Sequence, residues 1–248
     1  MKVKTLLLPA TLVALVVAGA LVYADRDGGD DDCDLPQGSE VVSMKPSDFT
    51  TSITNPYWPM RPGTTWTYRE TDGDSVEDIV VTVTDKTKTI AGITARVVRD
   101  TVTEGGELVE DTFDWYAQDD DGNIWYLGED TKEYEADEVV STEGSWEHGV
   151  DGALAGIAIP ADPEPGCAYR QEYKRGEAED NGVVLSTDEI VQVPAGSYTG
   201  ALSTMDTTPL EPLVNEHKVY ARGVGMVLEV QLGGGAARGE LISVTQGG

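Results

Sequence analysis

From residue 62 onward, apolar and polar side chains alternate with a period of two. In TTWTYRE, Trp66 and Tyr68 share one face while Thr65, Thr67 and Arg69 share the other. In DIVVTVTDK, Ile79, Val81 and Val83 oppose Val80, Thr82 and Thr84, and ITARVVRDTV puts Ile93, Ala95 and Val97 on the buried face. Phe113, Trp115 and Ala117 alternate with Asp114 and Tyr116. Near the C-terminus Val224, Met226, Leu228, Val230 and Leu232 alternate with Gly225, Val227, Glu229 and Gln231. This is the signature of strands with one buried face. The β-branched and aromatic content of these runs, with turn signals such as Ala91-Gly92 and Glu104-Gly105-Gly106 between them, predicts an all-β chain. No window beyond the first residues sustains a 3.6-residue apolar period.

Two stretches depart from the alternation. Val41 to Pro62 holds Pro46, Pro56, Pro59 and Pro62, too many for a helix or a central strand. It reads as an extended arm whose Tyr57, Trp58 and Met60 cover one end of the core. Glu129 to Asp162 is polar and Gly-rich, contains Trp146 and ends in the apolar run Ala153 to Pro160. That is long for a loop without structure of its own. Gly233 to Gly235 breaks the last clear strand, and residues 241–244 form a short final one.

Laid over itself, the chain matches at shifts of 103 to 105 residues. Pro62-Gly63 recurs as Pro165-Gly166, Ala91-Gly92 as Ala195-Gly196, Leu108-Val109 as Leu213-Val214, and Tyr116-Ala117 as Tyr220-Ala221. A single β domain over 41–245 follows, with two repeats at about 62–129 and 165–232. Two such antiparallel meanders share one curved sheet, as a half-barrel or barrel with an apolar concave face.

Charge sharpens the picture. Against 17 Lys and Arg stand 45 Asp and Glu, a net charge of -28. Such a surface repels phosphate backbones, which excludes nucleic acid as a partner. At the N-terminus Lys2 and Lys4 precede the apolar run Thr5 to Val22, and Val22-Tyr23-Ala24 suits signal peptidase. The run is also nearly long enough to span a bilayer. Residues 1–24 are therefore a signal peptide or an uncleaved anchor, and either places the acidic body outside the cytoplasm. Membrane contact is expected only through this segment. Residues 25–40, beginning DRDGGDDDCD, are an acidic linker. The two cysteines, Cys33 and Cys167, are expected to pair in an oxidising compartment.

Candidate chemistry is sparse. Asp119, Asp120, Asp121 and Asn123 suggest calcium, the one cofactor with a place in the sequence. The EF-hand spacing fails, since Gly122 at its sixth position would put Ala117 first and Gly128 last. A plain hairpin loop and a looser site of Asp119, Asp121, Asn123 and Glu129 both remain open. A second acidic cluster, Glu172, Glu177, Glu179 and Asp180, reads as a solvated turn, a cation site or an acid/base pair. No nucleophile elbow, zinc-binding helix, phosphate loop or Cys-x-x-Cys occurs, and His148 and His217 are isolated, so no catalytic residue is assigned. The interior strands carrying Trp66, Trp115, Val224, Met226 and Leu228 either fill a core or line a site for a hydrophobic small molecule or lipid.

The strings NPYWPMRPGTTWTYR, EDTFDWYAQDDDGNIWYLGEDTKEY, STEGSWEHGVDGA and YRQEYKRGEAED resemble a family of uncharacterised secreted bacterial proteins. The resemblance implies an extracytoplasmic location and no particular activity. VPAGSY followed by YARGVGMV is similar to lipoprotein-carrier half-barrels, whose concave face holds acyl chains. The expected function is a non-enzymatic extracytoplasmic binding protein with an apolar ligand cavity. The alternatives are an acidic calcium-binding surface module and, third, a carboxylate-dependent hydrolase.

Overall fold

A computed structural model describes residues 33–233 and 235–247. The leader and residues 25–32 of the linker lie outside the described residues. One 3₁₀ turn at Pro46–Asp48 precedes β1 (Phe49–Thr50). An antiparallel meander follows: β2 (Thr65–Asp72), β3 (Ser75–Ile90), β4 (Ile93–Glu104), β5 (Glu107–Asp119) and β6 (Ile124–Glu135). The Gly-rich stretch after Glu129 is also largely strand. It holds the end of β6 and then β7 (Glu138–Ser141), β8 (Trp146–Glu147) and β9 (Leu154–Ile159), each paired with β6. Two short strands, β10 (Ala168–Arg170) and β11 (Glu172–Tyr173), lead into β12 (Asn181–Val193) and β13 (Gly196–Thr207). The chain ends with β14 (Asn215–Ala221), β15 (Gly225–Gly233) and β16 (Arg238–Thr245). Among the described residues there is no α-helix.

Every pairing is antiparallel, and the sheet runs β10-β12-β13-β14-β15-β16-β2-β3-β4-β5-β6-β9-β11. Its two ends are consecutive in sequence. Residues 168–170 pair with β12 and residues 172–173 with β9, so one extended segment joins the open edges into a nearly closed barrel. Arg170 holds this junction. Its guanidinium is buried and donates to Ala155 O on β9, at 2.7 and 3.2 Å, and to Gly38 O and Glu40 O of the N-terminal segment, at 2.8 and 2.6 Å. Gly156 permits the approach, since a Cβ there would run into the carbonyl oxygens of Arg170 and Gln171. The Cys33–Cys167 disulfide ties the N-terminal segment down beside the same junction.

The Pro-rich arm does what its composition predicts. Tyr57 and Met60 are fully buried, and Trp58 packs on Trp66, Tyr116 and Tyr220 at centroid distances of 6.5, 5.4 and 5.9 Å. These rings come from strands far apart in the sheet, so Trp58 closes one end of the barrel. The two Pro-Gly turns make the same clasp. Gly63 N donates to Val83 O and Gly166 N to Val184 O, each at 2.8 Å, and Val83 N and Val184 N return bonds to Thr64 O and Cys167 O.

Two bulges decide which side chains face inward. Tyr220 and Val219 of β14 oppose Met226 and Leu228 of β15, leaving Val227 as an extra residue. Beyond a bulge the faces exchange. Met226 and Glu229 therefore share the inner wall, and Leu228 turns to the outer face, interrupting the unbroken alternation read from the sequence. On β6, Tyr116 and Asp114 oppose Tyr126 and Glu129, so both of the latter point inward. Gly128 sits in that bulge at φ 132°, and the Trp146 carbonyl fills the space a Cβ would need.

Candidate functional site

The barrel encloses a cavity of about 320 Å³. Its apolar wall is aromatic: Trp58 from the arm, Tyr116 and Tyr126 from β5 and β6, and Tyr220 from β14. Its polar wall is acidic: Glu129, Glu172, Asp180, Asp206 and Glu229. Toward solvent it opens into a vestibule of about 540 Å³ that shares Glu172, Asp180 and Asp206 and adds Glu143, Glu177 and Glu211. Adjoining it is a recess of about 70 Å³ that shares Met226 and Glu229 and is lined further by Tyr68, Glu70 and Asp100. Among the described residues, Lys218 is the only basic side chain in these walls.

β14 shows how period-two alternation supplies the site. Glu216, Lys218 and Tyr220 point inward and oppose Asp206, Thr204 and Leu202 of β13. The Lys218 ammonium lies 3.0 Å from Asp206, 3.2 Å from Glu216 and 3.5 Å from Glu229. Burial alone would lower its pKa, but the charges of Asp206, Glu229 and Glu216 outweigh it and hold the ammonium well above its usual value. In return Lys218 lowers Glu216. Burial dominates at Glu229, pushing it up to about 7.

Tyr126 organises a second cluster. Its hydroxyl lies 2.8 Å from Asp114 Oδ1 and 2.7 Å from Glu129 Oε2. A hydroxyl has one proton, so it can donate to only one of these carboxyls; the other must itself be protonated and donate back. The titration of the group agrees. Burial, reinforced by the charge of Asp100, pushes Asp114 up to about 7, and burial with the charge of Asp114 pushes Glu129 up to about 8. Burial also raises Tyr126, Tyr116 and Tyr220 well above the usual phenol range. The shared hydroxyl keeps the two carboxyl oxygens no more than about 5.5 Å apart, comparable to the pair in retaining glycosidases at about 5–5.5 Å. Here, however, the phenol itself occupies the space between the two carboxyls.

The second acidic cluster of the sequence divides between two surroundings. Glu172 and Asp180 turn into the cavity, where burial raises both, and Glu172 accepts the Trp146 indole N–H at 2.7 Å. Glu177 pairs outward with Lys174, and Glu179 accepts from the Gly176 amide at 2.7 Å.

Of the ligand-binding residues expected from the sequence, Met226 lines the cavity. Trp66 lies just beneath it, its indole N–H donated to Val224 O at 2.6 Å, and the Val224 side chain is half-buried. Leu228 is buried on the outer face of β15. Trp115 lies on the face of β5 opposite Tyr116, capped by Lys88 at 3.2 Å, which also pairs with Glu147. Thus the lining is aromatic and acidic rather than aliphatic.

The proposed calcium ligands are not brought together. Asp119 Oδ1 accepts from the amides of Gly122 and Asn123, both at 2.8 Å. Its Oδ2 accepts from Asn123 Nδ2 and Trp125 Nε1. Asn123 Oδ1 accepts from Ala161 N, Asp121 is exposed, and Glu129 is inside the barrel. Among the described residues, no group of three His, Cys, Asp or Glu side chains is placed to hold a metal ion; the carboxylates of Asp206, Glu216 and Glu229 converge on the Lys218 ammonium instead. Neither histidine faces the cavity. His148 Nδ1 accepts from Ala155 N, and His217 Nε2 lies 2.6 Å from the fully buried Ser203 hydroxyl.

Sequence reading did not assign Tyr116, Tyr126, Tyr220, Lys218, Asp206 or Glu229 to a site; it placed Trp58 at the end of the core and named Glu129, Glu172 and Asp180 only as members of acidic clusters. One signal was available: the duplicated Tyr-Ala pairs supply the two tyrosines that flank Trp58.

No family model matches the chain, and no curated protein does. Among solved structures, the chain is similar to a protein of Parabacteroides distasonis ATCC 8503 provisionally named a lipoprotein. The TM-score is 0.45 at 12% identity, covering 76% of this chain and 98% of that one.

Proposed function

We propose that this chain is an extracytoplasmic binding protein whose barrel takes an organic cation, a protonated amine. One observation carries the reading: a cavity whose walls combine four aromatic rings with five carboxyls and a single basic residue. Aromatic faces attract an ammonium through the ring quadrupole, and desolvation strengthens that attraction. The carboxyls supply countercharge and hydrogen-bond acceptors. Lys218 already demonstrates the chemistry, with its ammonium held by three carboxylates. A fatty acid fits poorly, because its carboxylate would meet like charge in a low-dielectric space. The phenol held between Asp114 and Glu129 favours binding over hydrolysis. The Cys33–Cys167 disulfide supports a location outside the cytoplasm, and the two sequence repeats each contribute one tyrosine beside Trp58.

The test is a fluorescence titration with butylammonium chloride at constant ionic strength. Saturable change in tryptophan emission is expected, absent in Trp58→Phe. Affinity should fall from pH 8 to pH 6, because Glu129, Asp114 and Glu229 take up protons there. No saturable signal at either pH refutes the proposal.

A further inference from the structure

The three cavities adjoin one another through shared walls, and acidic groups recur along them. The vestibule and central cavity meet at Glu172, Asp180 and Asp206. The central cavity and inner recess meet at Glu229 and Met226. At the inner end, Asp100 Oδ1 is fully buried and has no hydrogen-bond partner. An orphaned acceptor of this kind is costly, and native structures rarely leave one without a donor. Among the described residues no basic side chain acts on it: burial, with the charges of Glu110, Glu229 and Asp111, pushes Asp100 up to about 7, opposed only by a bond from the Thr101 amide to the carboxyl. Lys218 is committed to Asp206, Glu216 and Glu229. The central cavity is different, since the rings of Trp58, Tyr116 and Tyr220 line its wall with hydrocarbon-compatible faces.

Resting on the reading of the barrel as an organic-cation site, we propose that the ligand is a linear polyamine. Its inner ammonium donates to Asp100, its alkyl spacer passes the aromatic rings, and a second ammonium sits at Glu172, Asp180 and Asp206. The inner recess, about 70 Å³, admits a primary ammonium and little more. A branched or bulky amine therefore stops in the central cavity. A monoamine can satisfy one end only.

The experiment is isothermal titration calorimetry of the full chain with spermidine, putrescine and butylamine, each at two salt concentrations. Spermidine is expected to bind with one-to-one stoichiometry and about tenfold or more tighter than butylamine, from the added charge-assisted contact. Asp100→Asn keeps the side-chain shape and removes a buried charge, so it should fold at least as well, which a thermal melt verifies. In that variant the preference for spermidine should shrink about tenfold while butylamine affinity is unchanged. Equal affinity for spermidine and butylamine in the wild type overturns the polyamine assignment but leaves the organic-cation reading standing. So does a preference for spermidine that survives Asp100→Asn, or binding of several spermidines that disappears with salt, which is condensation on the acidic surface. Absence of binding by all three amines overturns both readings.

Discussion

Replacing Asp114 by an asparagine should flatten the pH dependence of stability, and its size can be worked from the Tyr126 cluster. Two carboxyls on one phenol retain a proton in the folded protein. Both have folded pKa values raised above the ordinary carboxylate range, to about 7 for Asp114 and about 8 for Glu129, chiefly by burial. In the unfolded chain both are ionised above about pH 5. A raised carboxyl contributes stability that is fully present below its unfolded pKa and is lost as pH rises through its folded pKa. Between pH 5 and 7 each carboxyl holds a proton that the unfolded chain has released, and the proton on Asp114 alone lowers stability by about 1.4 kcal/mol per pH unit, or about 2.7 kcal/mol in all. In the Asp114→Asn variant the new side-chain amide can donate to the Tyr126 oxygen while the phenol donates to Glu129, so the proton is no longer required. Thermal melts of the ligand-free protein at pH 5, 6 and 7 read the effect. For a chain of this size about 2–4 °C accompanies each kcal/mol, so the acid-to-neutral drop in Tm should be about 5–10 °C smaller in Asp114→Asn. The other buried acids and the net surface charge act on both proteins and cancel in the comparison. Parallel curves for the two proteins would falsify the shared-proton geometry.

Two further perturbations test the barrel and its floor of charge. Arg170→Lys loses the planar fork that serves Ala155, Gly38 and Glu40, and should cost about 2–4 kcal/mol by urea denaturation; an unchanged midpoint would mean that the sheet junction does not depend on it. Lys218→Met leaves Asp206, Glu216 and Glu229 without their cation and should destabilise by about 3 kcal/mol at pH 7, less at pH 5 as the acids protonate. Added butylamine should raise the Tm of this variant more than that of the wild type, and equal shifts would count against an ammonium-shaped vacancy.

Much of the architecture was legible because period two is a local property. The runs around Trp66, Ile79, Ile93 and Trp115 became β2 to β5, and the four prolines of the arm placed Tyr57, Trp58 and Met60 at the end of the core. The site was less legible for a physical reason. In a closed barrel both faces of a strand can be buried, one against the lumen and one under covering segments, so hydrophobicity does not identify the inner face. Trp115 and Asp114 illustrate the ambiguity: the indole lies outside under Lys88, while the carboxyl points in. Bulges compound it, since the one at Val227 exchanges the faces of Leu228 and Glu229 and the one at Gly128 turns Glu129 inward, neither with a strong local signature. Glu172 and Asp180 looked like turn residues, and only the strand exchange at residues 168–173 brings them inside.

Trp58 has one more consequence. Its indole meets Trp66 of β2, Tyr116 of β5 and Tyr220 of β14, so one side chain from outside the sheet couples three separate parts of the wall. A guest that displaces this ring moves all three staves together, which makes the arm a lever between occupancy and the shape of the whole barrel.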